Sequence, residues 1–451
     1  MGSTSTFGQT LRRKREEAGF SLRRLARLVC YSPGWMSRIE NGLASPTLQM
    51  AQICDRQLAA NGELIALAQD VLINRQRLVL PAQVPRGTDR LIGRDQELRF
   101  LDNRLERSRT TATGMVVSIE GDAGVGKTEL AKCWAHRVAE SFEDGVLFAD
   151  LQGYSVEVEP VASEQVLEGF LTALGTEPAS VPEGLDQRAA LLRTLTARRQ
   201  ILMVLDNAVN SRQVQPLLPN GPGCTVLVTS RRRLKALTVR DMAASLQLDP
   251  LAAKDAVDVL QSMAAGACED EAATTRLLAR QCGRVPLALR IAGFLLSTSR
   301  RARDLARDMS DPSTRLDLLS DTDDTTLSVR AALERSYQDL DGDAARMFRL
   351  LGLVPLGVGA AAASEMSGWP GRRTRRALES LVDVHLAHCD DTGRYVLGEL
   401  DAAFAAEKAA EEETDAERGA ALDRLTAWSR GHSPVNGEGI TPINMVYIRP
   451  E

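Results

Sequence analysis

The sequence predicts a multidomain chain: an all-α head, an α/β domain built on a parallel sheet, and a helical region behind it. Three observations predict this. Residues 1–68 carry compact helical patterning. Between 91 and 251, short β-rich runs at 115–120, 146–151, 201–206, 225–230 and 245–248 alternate with amphipathic helices, the pattern of a parallel sheet covered on both faces. Beyond 251 the pattern is almost wholly helical to about 345.

A chain of 451 residues suits about three domains, with cores large enough to need no disulfide or metal. An apolar fraction of 44% and a charged fraction of 25% are ordinary for a soluble globular protein. The net charge of −5 argues against a chain that coats nucleic acid along its length. The first 60 residues are basic, however, with Arg12, Arg13, Lys14, Arg15, Arg23, Arg24, Arg27, Arg38 and Arg56 against Glu16, Glu17, Glu40 and Asp55. The head is therefore the part expected to meet phosphate. Seven scattered cysteines without a CxxC pair predict a reduced, intracellular chain. With no basic-then-apolar start and no apolar run near the ~18 residues of a membrane span, a cytoplasmic location is expected.

The head is expected over 1–70. Residues 21–29 have a helical apolar face at Leu22, Leu25, Ala26 and Val29. After a short turn, Ser32 as N-cap, Pro33 at the first helical position and Gly42 as the stop bracket a second helix. Flanked by 11–18 and 48–58, the two fit a helix-turn-helix, with a helical protein-interaction module as the alternative. Ser37-Arg38-Ile39-Glu40-Asn41-Gly42 resembles the Cro/repressor (XRE-type) DNA-binding family over 7–68. The resemblance implies double-stranded DNA as partner, with Ser32, Gly34, Trp35, Ser37 and Arg38 facing the major groove and Met36 and Ile39 packing inward. The family's usual glutamine and turn glycine are here Leu22 and Cys30, and Arg23, Arg24 and Arg27 would compensate at the phosphates. Trp35 suits the core as well as the groove. Cys30 reads as a small buried hydrophobe rather than a redox handle.

Residues 71–90 read as a linker, with two prolines and no periodicity over 78–90. The domain that follows, 91–251, carries the most specific motif. Gly121-Asp122-Ala123-Gly124-Val125-Gly126-Lys127-Thr128 follows an apolar run and opens an amphipathic helix, so it matches GxxxxGK[ST] at every fixed position. Gly121, Gly124, Val125 and Gly126 would let backbone N–H groups cradle a β-phosphate, with Glu129 just beyond the loop. Lys127 would neutralise the β/γ-phosphates, and Thr128 would complete a Mg²⁺ shell. Asp206, at the end of the run 201–206, would hold the same metal through water. Asn207 then stands where many P-loop ATPases place a carboxylate base, and an amide cannot accept that proton. Binding of ATP and ADP is expected, and at most slow hydrolysis. Arg231, at the end of 225–230, is placed to report a γ-phosphate, with a solvated basic loop as the alternative.

With these residues in place the chain resembles the STAND class of P-loop NTPases, in particular the NB-ARC module of plant receptors and bacterial regulators. Leu91-Ile92-Gly93-Arg94 is similar to the segment bordering the adenine, Cys282-Gly283-Arg284-Val285-Pro286-Leu287-Ala288 to the GLPL motif whose proline lies on the base, and Arg231 to the sensor arginine. Residues 329–353 resemble the start of a winged-helix domain. The resemblance implies a helical subdomain at 252–325, a winged-helix domain at 326–408, and a closed ADP form that opens into a homo-oligomer with ATP. Residues 401–430 read as one exposed helix and the remaining tail as poorly tied down. The family's phosphate-latching His-Asp pair falls on Gly398 and Glu399, so the latch is expected to be weak or supplied elsewhere, with His385 and His388 as the candidates. Zinc binding by His385, His388 and Cys389 is set aside for want of a fourth ligand. The reading is a nucleotide-controlled transcription regulator. A defence-type receptor recruiting a protein partner and a turnover ATPase are the rivals.

Overall fold

The computed structural model describes residues 7–29, 31–41, 46–68, 80–88, 91–154, 159–264, 272–298, 301–321 and 327–431. Cys30, Gly42, most of the expected linker and the tail from 432 lie outside the described residues. The chain divides into two compact units, Met1–Leu80 and Pro81–Glu451.

The first unit contains α1 (Phe7–Glu17), α2 (Leu22–Leu28), α3 (Pro33–Glu40), α4 (Leu48–Gln57) and a helical stretch at 63–68. The caps read from sequence are present. Ser21 accepts from Arg24 N and Ser32 from Trp35 N, each at 3.2 Å, and Pro33 opens α3. Leu25, Ala26, Val29, Met36 and Ile39 are buried with Leu11 and Met50, while Leu22 packs half-buried at the margin. Gly8 lets α1 approach α3, since a Cβ there would stand 2.5 Å from Ile39 O. One buried ion pair locks these helices. Arg15 Nε and Nη2 donate to Glu40 Oε1 and Oε2 at 2.6 and 3.0 Å, and Arg15 Nη1 donates to Phe20 O.

The second unit begins with a departure from the expected linker. Residues 81–88 form a strap on the sheet: Val146 N donates to Pro81 O, Gln83 N to Val146 O, and Phe148 N to Gln83 Oε1. Extended backbone can dock without any periodic side-chain pattern, which is why no pattern in the residues marks it. The strap leads to α5 (Asp95–Thr111), β1 (Met115–Gly121), α6 (Lys127–Val138), β2 (Val146–Asp150), α7 (Ser163–Ala173), α8 (Leu185–Thr196), β3 (Leu202–Ala208), β4 (Thr225–Ser230) and β5 (Ala244–Leu248). The sheet is parallel, in order β2-β3-β4-β1-β5. Successive residues face opposite layers. Leu202 and Val204 join the core under α5 and α6, whereas Met203 and Leu205 join the core under α7 and α8.

Behind the sheet come α9 (Ala253–Met263), α10 (Ala272–Gln281), α11 (Pro286–Thr298), α12 (Ala302–Asp308), α13 (Pro312–Leu318), α14 (Val329–Gln338) and α15 (Gly342–Gly352). Then follow β6 (Val358–Gly359), α16 (Ala360–Ser367), α17 (Gly371–Asp383), β7 (His388–Cys389), β8 (Arg394–Val396), α18 (Glu399–Glu412) and α19 (Asp415–Gly431). One continuous apolar cluster runs from Leu251 to Leu425, through Leu319, Phe348 and Phe404. The single exposed helix expected over 401–430 is two helices. Leu400, Ala403, Phe404 and Ala405 of α18 are buried, and α18 runs past the expected boundary at 408. Thr414 and Glu417 make reciprocal capping bonds at the start of α19, where Glu413 is buried against Arg349.

Removing one member of a buried pair leaves the other charge uncompensated. Glu40→Ala is therefore expected to lower the stability of the first unit by up to about 3 kcal/mol. Arg12→Ala breaks an exposed, solvent-screened pair with Glu16 and should cost far less. Denaturant unfolding of the two variants checks the contrast, and equal losses would refute it.

Candidate nucleotide-binding site

The phosphate loop is shaped by backbone that only glycine adopts without strain. Gly121, Gly124 and Gly126 have φ of +151°, +74° and +99°. At Gly121 a Cβ would also stand 2.4 Å from Leu248 O of β5. Lys127 and Thr128 open α6 directly after the loop. Lys127 Nζ donates to Gly121 O and Asp122 O, both at 2.7 Å, and so draws the loop closed around its own ammonium. Burial and the nearby Arg231 push that ammonium down to about 7, against the opposing pull of Asp122 and Asp206.

Asp206 Oδ1 accepts from Thr128 Oγ1 at 2.8 Å and from Thr229 Oγ1 at 2.6 Å. Burial pushes this carboxyl up, and the two hydroxyl donors oppose the shift. Asn207 has a left-handed φ of +62° at the irregularity in β3, and its N–H donates to Thr229 Oγ1. Asparagine tolerates that backbone better than most residues, so a local reason for the amide stands beside the chemical one. Thr229 is a site residue that the sequence reading passed over; its only signal was its place at a strand end.

The remaining expected contacts divide. Leu287 N donates to Gly124 O at 3.2 Å, and Pro286 Cγ lies 3.9 Å from a Cβ built on Gly126, so the Pro286-Leu287 segment sits directly on the loop. Gly93 has φ +72° beside Asp255, next to half-buried Ile92. Arg94 is buried and braces the loop, donating to Val125 O, Asp249 O and Glu97. Glu129 faces the strap, accepting from Thr88 N and pairing with Lys132. Arg231 Nη1 donates to Ala332 O of α14 at 2.7 Å, and its guanidinium lies 4.8 Å from the Tyr154 ring centre. In this conformation it joins the sheet to the helical block.

The latch position is also clarified. Gly398 caps α18, and a Cβ there would stand 2.6 Å from Asp401 Oδ2, so a histidine would have to displace that carboxylate. Gly398, Asp401, Asp122 and His385 line one cavity of about 730 Å³. His385 is buried, has a left-handed φ of +59°, and its Nε2 has no hydrogen-bond partner among the described residues. Burial, with Lys127 and Arg233 nearby, pushes its imidazole down to about 3, so it is neutral at physiological pH. A strained, buried, unsatisfied side chain calls for a functional reason.

In the first unit Arg23, Arg24, Arg27, Ser32, Gly34 and Arg38 are exposed, Ser37 is half-buried, and Met36 and Ile39 point inward. Trp35 is half-buried and stacks on Tyr31, with centroids 4.6 Å apart.

Known proteins match this chain along most of its length. The helix-turn-helix domain family matches residues 6–68, and the AAA ATPase domain family matches residues 90–410. The chain is 37% identical to the regulatory protein AfsR of Streptomyces coelicolor over 395 residues, covering 84% of this chain and 38% of that protein. AfsR of Streptomyces griseus gives 36% over 393 residues, with the same two coverages. The chain thus spans well under half the length of these relatives. A disease resistance protein of Arabidopsis thaliana, RML1B, is 23% identical over 302 residues, covering 62% of this chain and 26% of that protein. A Walker-type ATPase of Pyrococcus abyssi shares the fold, with a TM-score of 0.50 at 14% identity over 73% of this chain and 99% of its own. Among the described residues no helix is long and apolar enough to cross a membrane.

Lys127→Ala removes the cation that the loop is folded around, and binding of ATP and ADP should fall below detection by calorimetry. Undiminished affinity would refute the assignment. A second outcome concerns pH. Burial pushes the Asp122 carboxyl up to about 7, with Lys127 opposing and Asp249 adding, and pushes Asp401 well above the usual range, with Asp122 adding. A carboxyl raised in the folded state stabilises it fully below its unfolded value and loses that contribution as pH rises through the folded one. These two carboxyls should therefore take stability from the second unit between about pH 4 and 7, against an opposite contribution from His385, whose depressed imidazole returns stability over the same rise. Asp401→Asn should flatten the loss; an unchanged slope would show that these carboxyls are not its source.

Proposed function

Since the chain belongs to the AAA ATPase domain family and carries a helix-turn-helix domain ahead of it, we propose that it is a DNA-binding transcription regulator switched by exchange of ADP for ATP. The observation that carries this reading is a complete phosphate loop, tied through Thr128 to Asp206, beside Asn207 in place of a carboxylate. Such a site binds a nucleotide well and hydrolyses it poorly, which suits a switch better than a motor.

In this reading Gly121, Gly124, Val125 and Gly126 hold the phosphates with Lys127, while Ile92, Gly93, Pro286 and Leu287 close over the base. The hydroxyl of Thr128 and the carboxylate of Asp206 are hard oxygen donors that fit Mg²⁺, which would neutralise phosphate charge. Arg231 answers to the γ-phosphate by leaving Ala332 O, which loosens the helical block from the sheet. His385 replaces the absent histidine at 398 as the group that holds ADP. Opened chains associate, and the clustered heads multiply a weak single-site affinity for duplex DNA through effective concentration. Arg38, with Ser32, Gly34, Trp35 and Ser37, reads base edges, and Arg23, Arg24 and Arg27 meet phosphates.

Three measurements test this. The purified chain should hydrolyse ATP below about 1 s⁻¹, the bottom of the usual enzyme range; tens per second would favour a motor. His385→Ala should weaken ADP binding about tenfold or more, the worth of one hydrogen bond to a charged group, and should shift the chain toward larger particles in size-exclusion runs. Loss of DNA selection in Arg38→Ala, read from a genomic library, separates a DNA reader from a protein recruiter.

A further inference from the structure

A second helix-turn-helix lies in the ATPase unit. Helix α16 ends at Gly368, whose φ is +69°, and Trp369-Pro370 leads at once into α17. Two helices joined by a three-residue turn containing glycine are the form in which a second helix is presented to a DNA groove. The inward face of α17 is Thr374, Ala377, Leu378 and Leu381, all buried. Its outward face carries Arg372, Arg373, Arg375 and Arg376, all exposed. At helical spacing these four fan over about 160° of that face.

Folding does not explain them. Four cations in the first turns of a helix work against its dipole, a small but real cost. Arg373 is paired with Asp343 at 2.6 Å and lies on Trp369. Arg372, Arg375 and Arg376 make no hydrogen bond or ion pair among the described residues, whereas most other arginines of this block do. Arg232, Arg233 and Lys235, from the segment that follows β4, line a cleft of about 1080 Å³ together with Arg372, Arg373 and Arg376. Lys235 is matched by Asp383. Asp343 answers Arg373, and Asp341 and Glu379 line the same cleft, so six cations stand against four carboxylates and the lining keeps a net positive charge that a polyanion would meet.

We propose that the outward face of α17 is a second duplex-DNA surface, with Arg372, Arg375 and Arg376 on backbone phosphates. The major groove is about 12 Å wide and admits one helix, so arginines fanned this broadly reach the phosphate rows on both walls. A small anion would need only one of these directions. Glu379 and Asp383 occupy the later half of α17, which confines the contact to its first two turns. The inference stands apart from the head's assignment.

The test uses the full chain and a short random-sequence duplex, with binding followed by fluorescence anisotropy across a salt series. In a background of Arg23→Ala, Arg24→Ala, Arg27→Ala and Arg38→Ala, duplex binding should persist. Adding Arg372→Ala, Arg375→Ala and Arg376→Ala should lower it at least tenfold and reduce the salt slope by about 2–3, near 0.9 per phosphate lost. Lysine at the same three positions should restore the slope, and ATP affinity should be unchanged throughout. Unchanged duplex affinity in the triple variant overturns the proposal. So does tripolyphosphate binding that depends on these arginines when duplex binding does not. If the head variants alone abolish all binding, the second surface falls and the head's assignment stands. If they change nothing while the α17 variants abolish binding, the head's assignment falls instead.

Discussion

The nucleotide end of the sheet hangs on one oxygen. Asp206 Oδ1 takes hydrogen bonds from Thr128 of the phosphate loop and from Thr229 of β4, so three segments meet at a single atom. The strand order makes this possible. With β4 lying between β1 and β3, Thr229 stands beside both the loop and the carboxylate. Thr229 also receives Asn207 N, which fixes the irregularity after Leu205 and the left-handed turn at Asn207. A hydroxyl that accepts from one neighbour and donates to the other leaves little freedom in any of the three.

The helical block is tied to this end by few but directional links. Leu287 N reaches Gly124 O, Leu251 N reaches Arg284 O, Arg231 reaches Ala332 O, and Arg233 N reaches Asp383 O. Three of them join the phosphate loop or the residues after β4 to α11, α14 and α17, and the Leu251 bond closes the segment after β5 on the turn before α11. Because the block shares one core from Leu251 to Leu425, a displacement at any link is resisted by the whole of it. A rigid block on a few polar ties is a lever, and the ties are what a bound phosphate would contest.

How much of this was legible depended on whether the signal was local. The parallel strands were read to within a residue or two, because strands buried on both faces are continuous apolar runs. The phosphate loop was legible because its glycines obey local backbone sterics, and the head's caps because Ser21 and Ser32 bond three residues ahead. The break at Glu413 was available in principle through Thr414 and Glu417, but the Ala- and Glu-rich run around it has no proline, and its glycine, Gly419, falls inside α19 and not at the break. The cavity group was legible only in His385, named as an alternative latch and not as part of a cluster. Asp122, His385 and Asp401 come together only through tertiary packing, and nothing local marks His385 as left-handed or unpaired. Likewise Arg94 and Arg231 were assigned by motif to the ligand, whereas their guanidinium groups are spent on carbonyls of the protein.

The strap on β2 bears on how copies of this chain can meet. An edge strand is normally a template onto which a strand from another molecule can add. Here the outer main-chain groups of Val146 and the N–H of Phe148 are already bonded to Pro81 and Gln83. Pro81 itself has no N–H to pass the ladder outward. Growth of the sheet by strand addition is thereby blocked on the β2 side, and any ordered assembly on that side has to be built from helices and loops.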